Sequence, residues 1–96
     1  LITIFQPHTY TRTIFLNKQF TNALNIDNTY IMNTYKSREE YDSLKEKIVN
    51  EIYIEYKKYN RKLILDEINS ANNSIFLFIG AGDISNEVKE ILTIIS

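Results

Sequence analysis

The residues best suited to chemistry stand together near the start of the chain. Gln6-Pro7-His8-Thr9-Tyr10-Thr11-Arg12-Thr13 gathers the single histidine, an arginine, a tyrosine and three threonines. This stretch separates an apolar run, Leu1-Ile2-Thr3-Ile4-Phe5, from a helical pattern that starts at Thr11. A helix N-terminus offers unpaired N–H groups and a partial positive charge, which suit an anion. Arg12 in the first turn adds a planar fork able to grip a carboxylate with two bonds. The same placement sets a cation against the helix dipole, so it calls for a compensating anion nearby. His8 and Arg12 are therefore the candidate carboxylate-binding pair, with Tyr10 and Thr11 in support. A plainer alternative stands beside this: Thr11 caps the helix, while His8 and Arg12 are solvated or paired with local carboxylates.

A second unusual stretch is Gly80-Ala81-Gly82-Asp83. Two glycines let the backbone turn sharply and approach a ligand or another strand closely, and Asp83 is a natural N-cap for the helix that follows. As a phosphate loop the signal is weak, because the stretch lacks the phosphate-reaching lysine and both standard glycine spacings. A tight turn with a cap is the simpler account. Tyr35, Lys36, Ser37, Arg38 and Glu39 form a third polar loop, either a solvated charged segment or a lip over a shared crevice. No catalytic residue is expected in the chain, since His8 has no cysteine partner and no carboxylate pair has a recognisable spacing. No metal site is expected either: there is no cysteine and only one histidine.

The elements that must position these loops follow from periodicity. Strands are expected over 1–5, 29–32, 51–56 and 74–79, the third from strict alternation and the last from a continuous apolar run. Helices are expected over 11–24 (Leu16, Phe20, Ala23, Leu24 on one face), from Asp42 or Ser43 through Asn50 (Leu44, Ile48, Val49 inward) and over 58–71 (Asn60, Ile64, Ile68, Ala71). Asn72-Asn73 is expected to end the third helix. A fourth carries Ile84, Val88, Ile91, Leu92 and Ile95. The stretch 44–59 also reads as one long helix. Four strands alternating with four helices imply right-handed βαβ units and a mainly parallel sheet, with order 3-2-1-4. In that order the first and last strands are neighbours where the winding reverses, and ligands collect there, outside the strands' carboxyl ends. Residues 6–12 and 80–83 would flank that crevice. Glu55, Lys57, Lys58 and Arg61 read as a solvated face.

Composition narrows the class further. The chain has 96 residues, enough for one domain with its own core. Eleven basic and twelve acidic residues leave a net charge of −1, which argues against a nucleic-acid module or charge-driven membrane binding. No apolar run reaches the length of a membrane span. The absence of an export-type leader fits a cytoplasmic protein. Leu1 is not a methionine and opens an apolar run, so the chain reads as a piece of a longer polypeptide.

Phe5-Gln6-Pro7-His8-Thr9-Tyr10-Thr11-Arg12-Thr13, together with Ile79-Gly80-Ala81-Gly82-Asp83-Ile84, resembles the C-terminal domain of the Mur ligases, and most closely their alanine-adding branch. Tyr35-Lys36-Ser37-Arg38-Glu39 is similar to the family's Tyr-x-x-Arg-Glu. The resemblance covers essentially all of residues 1–96 and implies a three-layer, Rossmann-like α/β domain of a three-domain enzyme. It further implies ATP-dependent ligation in peptidoglycan synthesis, with UDP-N-acetylmuramate and L-alanine as substrates and ATP and Mg2+ bound mainly outside this segment. By the same resemblance His8 and Arg12 grip the alanine carboxylate, and Gly80, Gly82 and Asp83 border the same crevice. Thr9 departs from the family, many members of which carry arginine there. The family's opening Asp-Tyr-x-His-His segment, its P-loop and its muramate-binding domain are absent from the chain. The piece alone is therefore expected to be inactive and, with sheet surface uncovered, to self-associate. Two other classes remain: a stand-alone flavodoxin-like binding module, and a peptide-adding relative of the ligases.

Overall fold

The computed structural model describes residues 1–70, 74–80 and 82–96. In chain order the elements are β1 (Ile2–Phe5), α1 (Tyr10–Phe15), α2 (Asn17–Ala23), a 3-10 turn (Ile26–Asn28), β2 (Thr29–Ile31), α3 (Ser43–Ile52), β3 (Lys57–Lys58), α4 (Arg61–Asn69), β4 (Phe76–Ile79) and α5 (Asp83–Ile95). The four strands form one parallel sheet in the order β3-β2-β1-β4, as the alternation of elements predicts. β1 lies at the centre, with Thr3 opposite both Thr29 and Leu77. No helix among the described residues is long and apolar enough to cross a membrane.

The sheet divides the core in two, because successive strand side chains point to opposite faces. Ile4 faces α4 and α5, where it packs with Ile64, Ile84 and Ile91. Phe5 faces the other way and packs with Tyr10 of α1 and with Val49 and Tyr53 at the end of α3. β4 is an edge strand covered on one face only. Phe76 and Phe78 reach the first cluster, whereas Leu77 and Ile79 are 44% and 38% exposed.

Several elements differ from the sequence expectation. Residues 51–56 are not a strand: α3 runs to Ile52, a turn follows, and β3 comprises Lys57 and Lys58. The alternation misleads because Val49, Tyr53 and Tyr56 also keep helical spacing. Those three face the core, while Ile54 is exposed. Leu44 and Ile48 likewise point outward, leaving Val49 as the buried residue of α3. Asp42 is the α3 N-cap, its carboxylate accepting from the N–H groups of Leu44 at 3.0 Å and Lys45 at 3.1 Å.

The first expected helix is broken at Leu16 into α1 and α2. Tyr56 grips the second piece, its hydroxyl donating to the Thr21 carbonyl at 3.1 Å. Ala23 is exposed, and the Phe20 side chain lies outside the described set. α4 starts later than expected because Asn60 caps it, accepting from Lys62 N–H at 2.9 Å. The expected contributions of Ala71 and Asn72-Asn73 fall outside the described residues; α4 closes at Asn69. Arg61, read as solvated, makes a two-bond ion pair with Glu87 that ties α4 to α5.

Candidate functional site

A buried amide organises the point where the winding reverses. Gln6, the first residue past β1, is only 2% exposed. Its Nε2 donates to the Asn33 carbonyl at 3.1 Å, and its Oε1 accepts from the Ile84 N–H at 3.0 Å. Its own N–H donates to the Ile79 carbonyl at 3.0 Å. One side chain thus joins the end of β1, the loop after β2 and the first turn of α5. A buried carboxamide has to satisfy both its ends, and here both partners are backbone groups.

The glycines allow these segments to meet. Gly80 has φ 148°, and a Cβ there would sit 3.0 Å from the Gln6 carbonyl oxygen. Gly82 has φ 98°, and a Cβ there would strike the Tyr35 ring, meeting Cδ2 at 2.7 Å and Cδ1 and Cγ closer still. Asp83 is not the cap that the sequence suggests. Gly82 occupies the N-cap position, Asp83 is the exposed first helical residue, and Gln6 satisfies the second turn-opening N–H from across the sheet. Ala81 lies outside the described residues.

Tyr35 links the glycine turn to the histidine. The His8 and Tyr35 ring centroids are 5.6 Å apart, tilted by 40°. Thr9 N–H donates to the Tyr35 carbonyl at 2.7 Å, and Tyr35 N–H donates to the Pro7 carbonyl at 2.9 Å. The three polar loops therefore converge, with the tyrosine ring between the imidazole and the glycine backbone. His8 Nδ1 is buried and has no hydrogen-bond partner among the described residues.

Thr9 carries backbone strain. Its φ of 59° with ψ of 147° is a region that β-branched residues avoid, at a cost of about 1–3 kcal/mol. The neighbours hold it there: its N–H is on Tyr35, its carbonyl accepts from Thr13 Oγ1 at 2.7 Å, and its Oγ1 accepts from Arg12 N–H at 3.3 Å. Thr9, and not Thr11, is the α1 cap.

The anion at the α1 N-terminus is Glu39. Its carboxylate accepts from Tyr10 N–H at 2.6 Å, from Thr11 N–H at 3.3 Å and from the Thr11 hydroxyl, and it lies 3.8 Å from Lys45 Nζ. The Thr11 hydroxyl, then the backbone N–H groups and Lys45, hold the Glu39 carboxyl below its ordinary value against the opposing effect of burial. Thr11 is thus committed to the loop, and it also accepts from Lys45 Nζ at 3.3 Å. Tyr10 points inward, 4% exposed. Its hydroxyl donates to Glu46 at 3.4 Å and its ring stands edge-on to Tyr41. Burial first, and the Glu46 charge second, raise its phenol above the usual range.

Arg12 is exposed, and no hydrogen bond or ion pair among the described residues engages its guanidinium. Lys36, Ser37 and Arg38 are exposed on the same loop as Glu39. A cleft of about 510 Å³ opens beside the junction, against Tyr10, Asn33, Glu46, Asn50 and Tyr53; neither His8 nor Arg12 lines it. Lys57 and Lys58 line that cleft. Gln6, Tyr35 and Glu39 are the residues whose roles sequence reasoning missed. The available signals were a glutamine closing an otherwise apolar run and the Tyr-x-x-Arg-Glu spacing of residues 35–39.

Fold and junction together define a Rossmann-like α/β domain whose glycine turn, Tyr35 and the His8-Thr9 segment meet at the switch point. Its relatives are UDP-N-acetylmuramate–L-alanine ligases. The chain is 39% identical over 92 residues to that of Streptococcus gordonii (strain Challis), covering 88% of this chain and 20% of the relative. It is 37% identical over 90 residues to that of Streptococcus sanguinis (strain SK36), with the same coverage. It is 39% identical over 93 residues to that of Streptococcus suis (strain 05ZYH33), covering 90% and 20%. No protein-family model and no solved structure matches the chain. The chain is a homologue of the alanine-adding Mur ligases, and it spans about one fifth of the length of the relatives it matches.

Proposed function

We propose that this chain is the amino-acid-positioning C-terminal domain of a cytoplasmic, ATP-dependent ligase that joins L-alanine to UDP-N-acetylmuramate in peptidoglycan synthesis. The observation that carries the reading is the state of Arg12. The α1 N-terminus is already satisfied by Glu39, while the neighbouring guanidinium is exposed and uncommitted. A carboxylate arriving at this junction meets an unpaired cation on a backbone held at residues 9–12, with the Tyr35 ring between His8 and the glycine turn. The relatives' names supply the substrate, and they favour this branch over a peptide-adding ligase or a stand-alone flavodoxin-like module.

The chain's own residues do not fit ATP or Mg2+. Among the described residues no three His, Asp or Glu groups cluster to hold a metal ion, and the 80–83 turn contains no lysine. In this proposal the muramate carboxylate takes the γ-phosphoryl group of ATP, with ADP leaving, and the acyl phosphate so formed lies in the domains outside this segment. The alanine nitrogen attacks the acyl carbon, phosphate leaves with the C–O electron pair, and the amine gives up a proton. This domain's share is orientation, which lowers the barrier only in the assembled enzyme, so the isolated piece is inactive.

The test is alanine dependence in the full-length ligase. Arg12→Ala removes a charge-assisted contact of roughly 1.5–3 kcal/mol, so kcat/KM for alanine falls by roughly 10- to 150-fold. An unchanged alanine dependence overturns the role.

A further inference from the structure

Four consecutive N–H groups fix the backbone from which Arg12 projects. Thr9 N–H is held by Tyr35, Tyr10 and Thr11 N–H by Glu39, and Arg12 N–H by Thr9 Oγ1. Three of the four therefore depend on the loop that follows β2, and two of those on one carboxylate. α1 spans only Tyr10–Phe15, too short to hold its own first turn, since isolated short helices are unstable in water.

Charge points the same way. Glu39 is close enough to the first turn to offset the unfavourable placement of Arg12, yet its oxygens are taken by two backbone donors, the Thr11 hydroxyl and the Lys45 ammonium. Lys45 sits in the first turn of α3, directly past the Asp42 cap that fixes that turn. The carboxylate is thus anchored from two helices and does not close on the guanidinium. A glutamate free to swing would neutralise Arg12 and compete with any incoming carboxylate.

We propose that Glu39 is a positioning residue for the amino-acid carboxylate site: it locks the backbone of residues 10 and 11 and, held by Lys45, leaves the Arg12 guanidinium available. This rests on the assignment of Arg12 to the alanine carboxylate. Glu39 does not touch substrate; it acts through Arg12.

The experiment measures kcat and KM for L-alanine and for ATP in the full-length ligase carrying Glu39→Ala, Glu39→Gln, Arg12→Ala and the double substitution Arg12→Ala/Glu39→Ala. Glu39→Ala is expected to raise the alanine KM about tenfold while the ATP KM stays within about twofold. Glu39→Gln keeps one acceptor oxygen and the side-chain shape, so it falls between wild type and Glu39→Ala and covers the case in which the alanine variant does not fold. The double variant is expected to be no worse toward alanine than Arg12→Ala alone, because one residue works through the other. A raised alanine KM in Arg12→Ala with an unchanged one in both Glu39 variants overturns this inference alone. So does a full additional loss in the double variant. An unchanged alanine KM in Arg12→Ala overturns the carboxylate assignment itself, and this inference with it.

Discussion

The Gln6 carboxamide oxygen accepts the Ile84 N–H at 3.0 Å across 78 residues of chain, inside the core. That bond, with its companion to Asn33, makes the crevice a defined place rather than the meeting of three loose loops. Gln6→Leu keeps the approximate volume but leaves the Ile84 N–H and the Asn33 carbonyl unpaired. Each orphan costs about 1–3 kcal/mol, so the variant is expected to lose about 2–6 kcal/mol. Urea unfolding checks it: the midpoint falls while the denaturant slope is unchanged.

Gly82 is fixed by the Tyr35 ring as much as by its own φ of 98°. Gly82→Ala is expected to cost about 1–3 kcal/mol, from backbone strain and from displacement of the ring. In a Tyr35→Ala background the steric part disappears and the strain part stays. A double-mutant cycle should therefore show coupling above about 0.5 kcal/mol. Additive losses would mean that the ring does not rest on the turn.

Two pH limbs follow from named groups. Glu39 has its folded pKa lowered, chiefly by the Thr11 hydroxyl. Its contribution to stability is therefore present above the unfolded value of about 4.3 and is lost as pH falls through the lower folded value. Acid unfolding of Glu39→Gln should lack that limb. At the other end, burial, then the neighbouring Tyr56, pushes the Tyr53 phenol up to about 12. Burial and the Glu87 charge push Tyr59 to about 12 as well. Folded values raised in this way stabilise fully below about pH 10, and the benefit is lost as pH climbs towards 12. Spectrophotometric titration should show these two of the seven tyrosines ionising last, together with alkaline unfolding.

The outward face of β4 predicts the behaviour of the 96-residue chain in isolation. Leu77 and Ile79 are exposed on an edge strand, beside Ile75 at 70% exposure, and such an edge is prone to pair with a second copy. Light scattering over a concentration series should show association, reduced by Leu77→Lys. A monomer throughout would contradict it.

Much of this architecture was legible in the residues. The apolar runs that became β1 and β4, and the helical spacing between them, dictated a parallel sheet, and the handedness of crossovers then left its order nearly fixed. The 51–56 segment was not legible, because Val49, Tyr53 and Tyr56 satisfy a helical stripe while the intervening residues alternate. The choice between the two belongs to tertiary packing. The junction was half legible. His8, Arg12 and the glycines declare themselves locally, but Glu39 lies 28 residues from Thr11, and no local pattern announces such a cap. Gln6 looked like one more polar residue of the loop; only the parallel order brings Ile84 within its reach.

The carboxylate is the centre of the account, and substrate discrimination tests it most directly. L-alaninamide has the same side chain and amino group as L-alanine and lacks only the anionic carboxylate. In the full-length ligase the preference for L-alanine, as a ratio of kcat/KM values, is predicted to shrink by roughly 10- to 100-fold on Arg12→Ala, since the charged contact exists for one substrate alone. A preference unchanged by the substitution would place the carboxylate elsewhere and contradict the account.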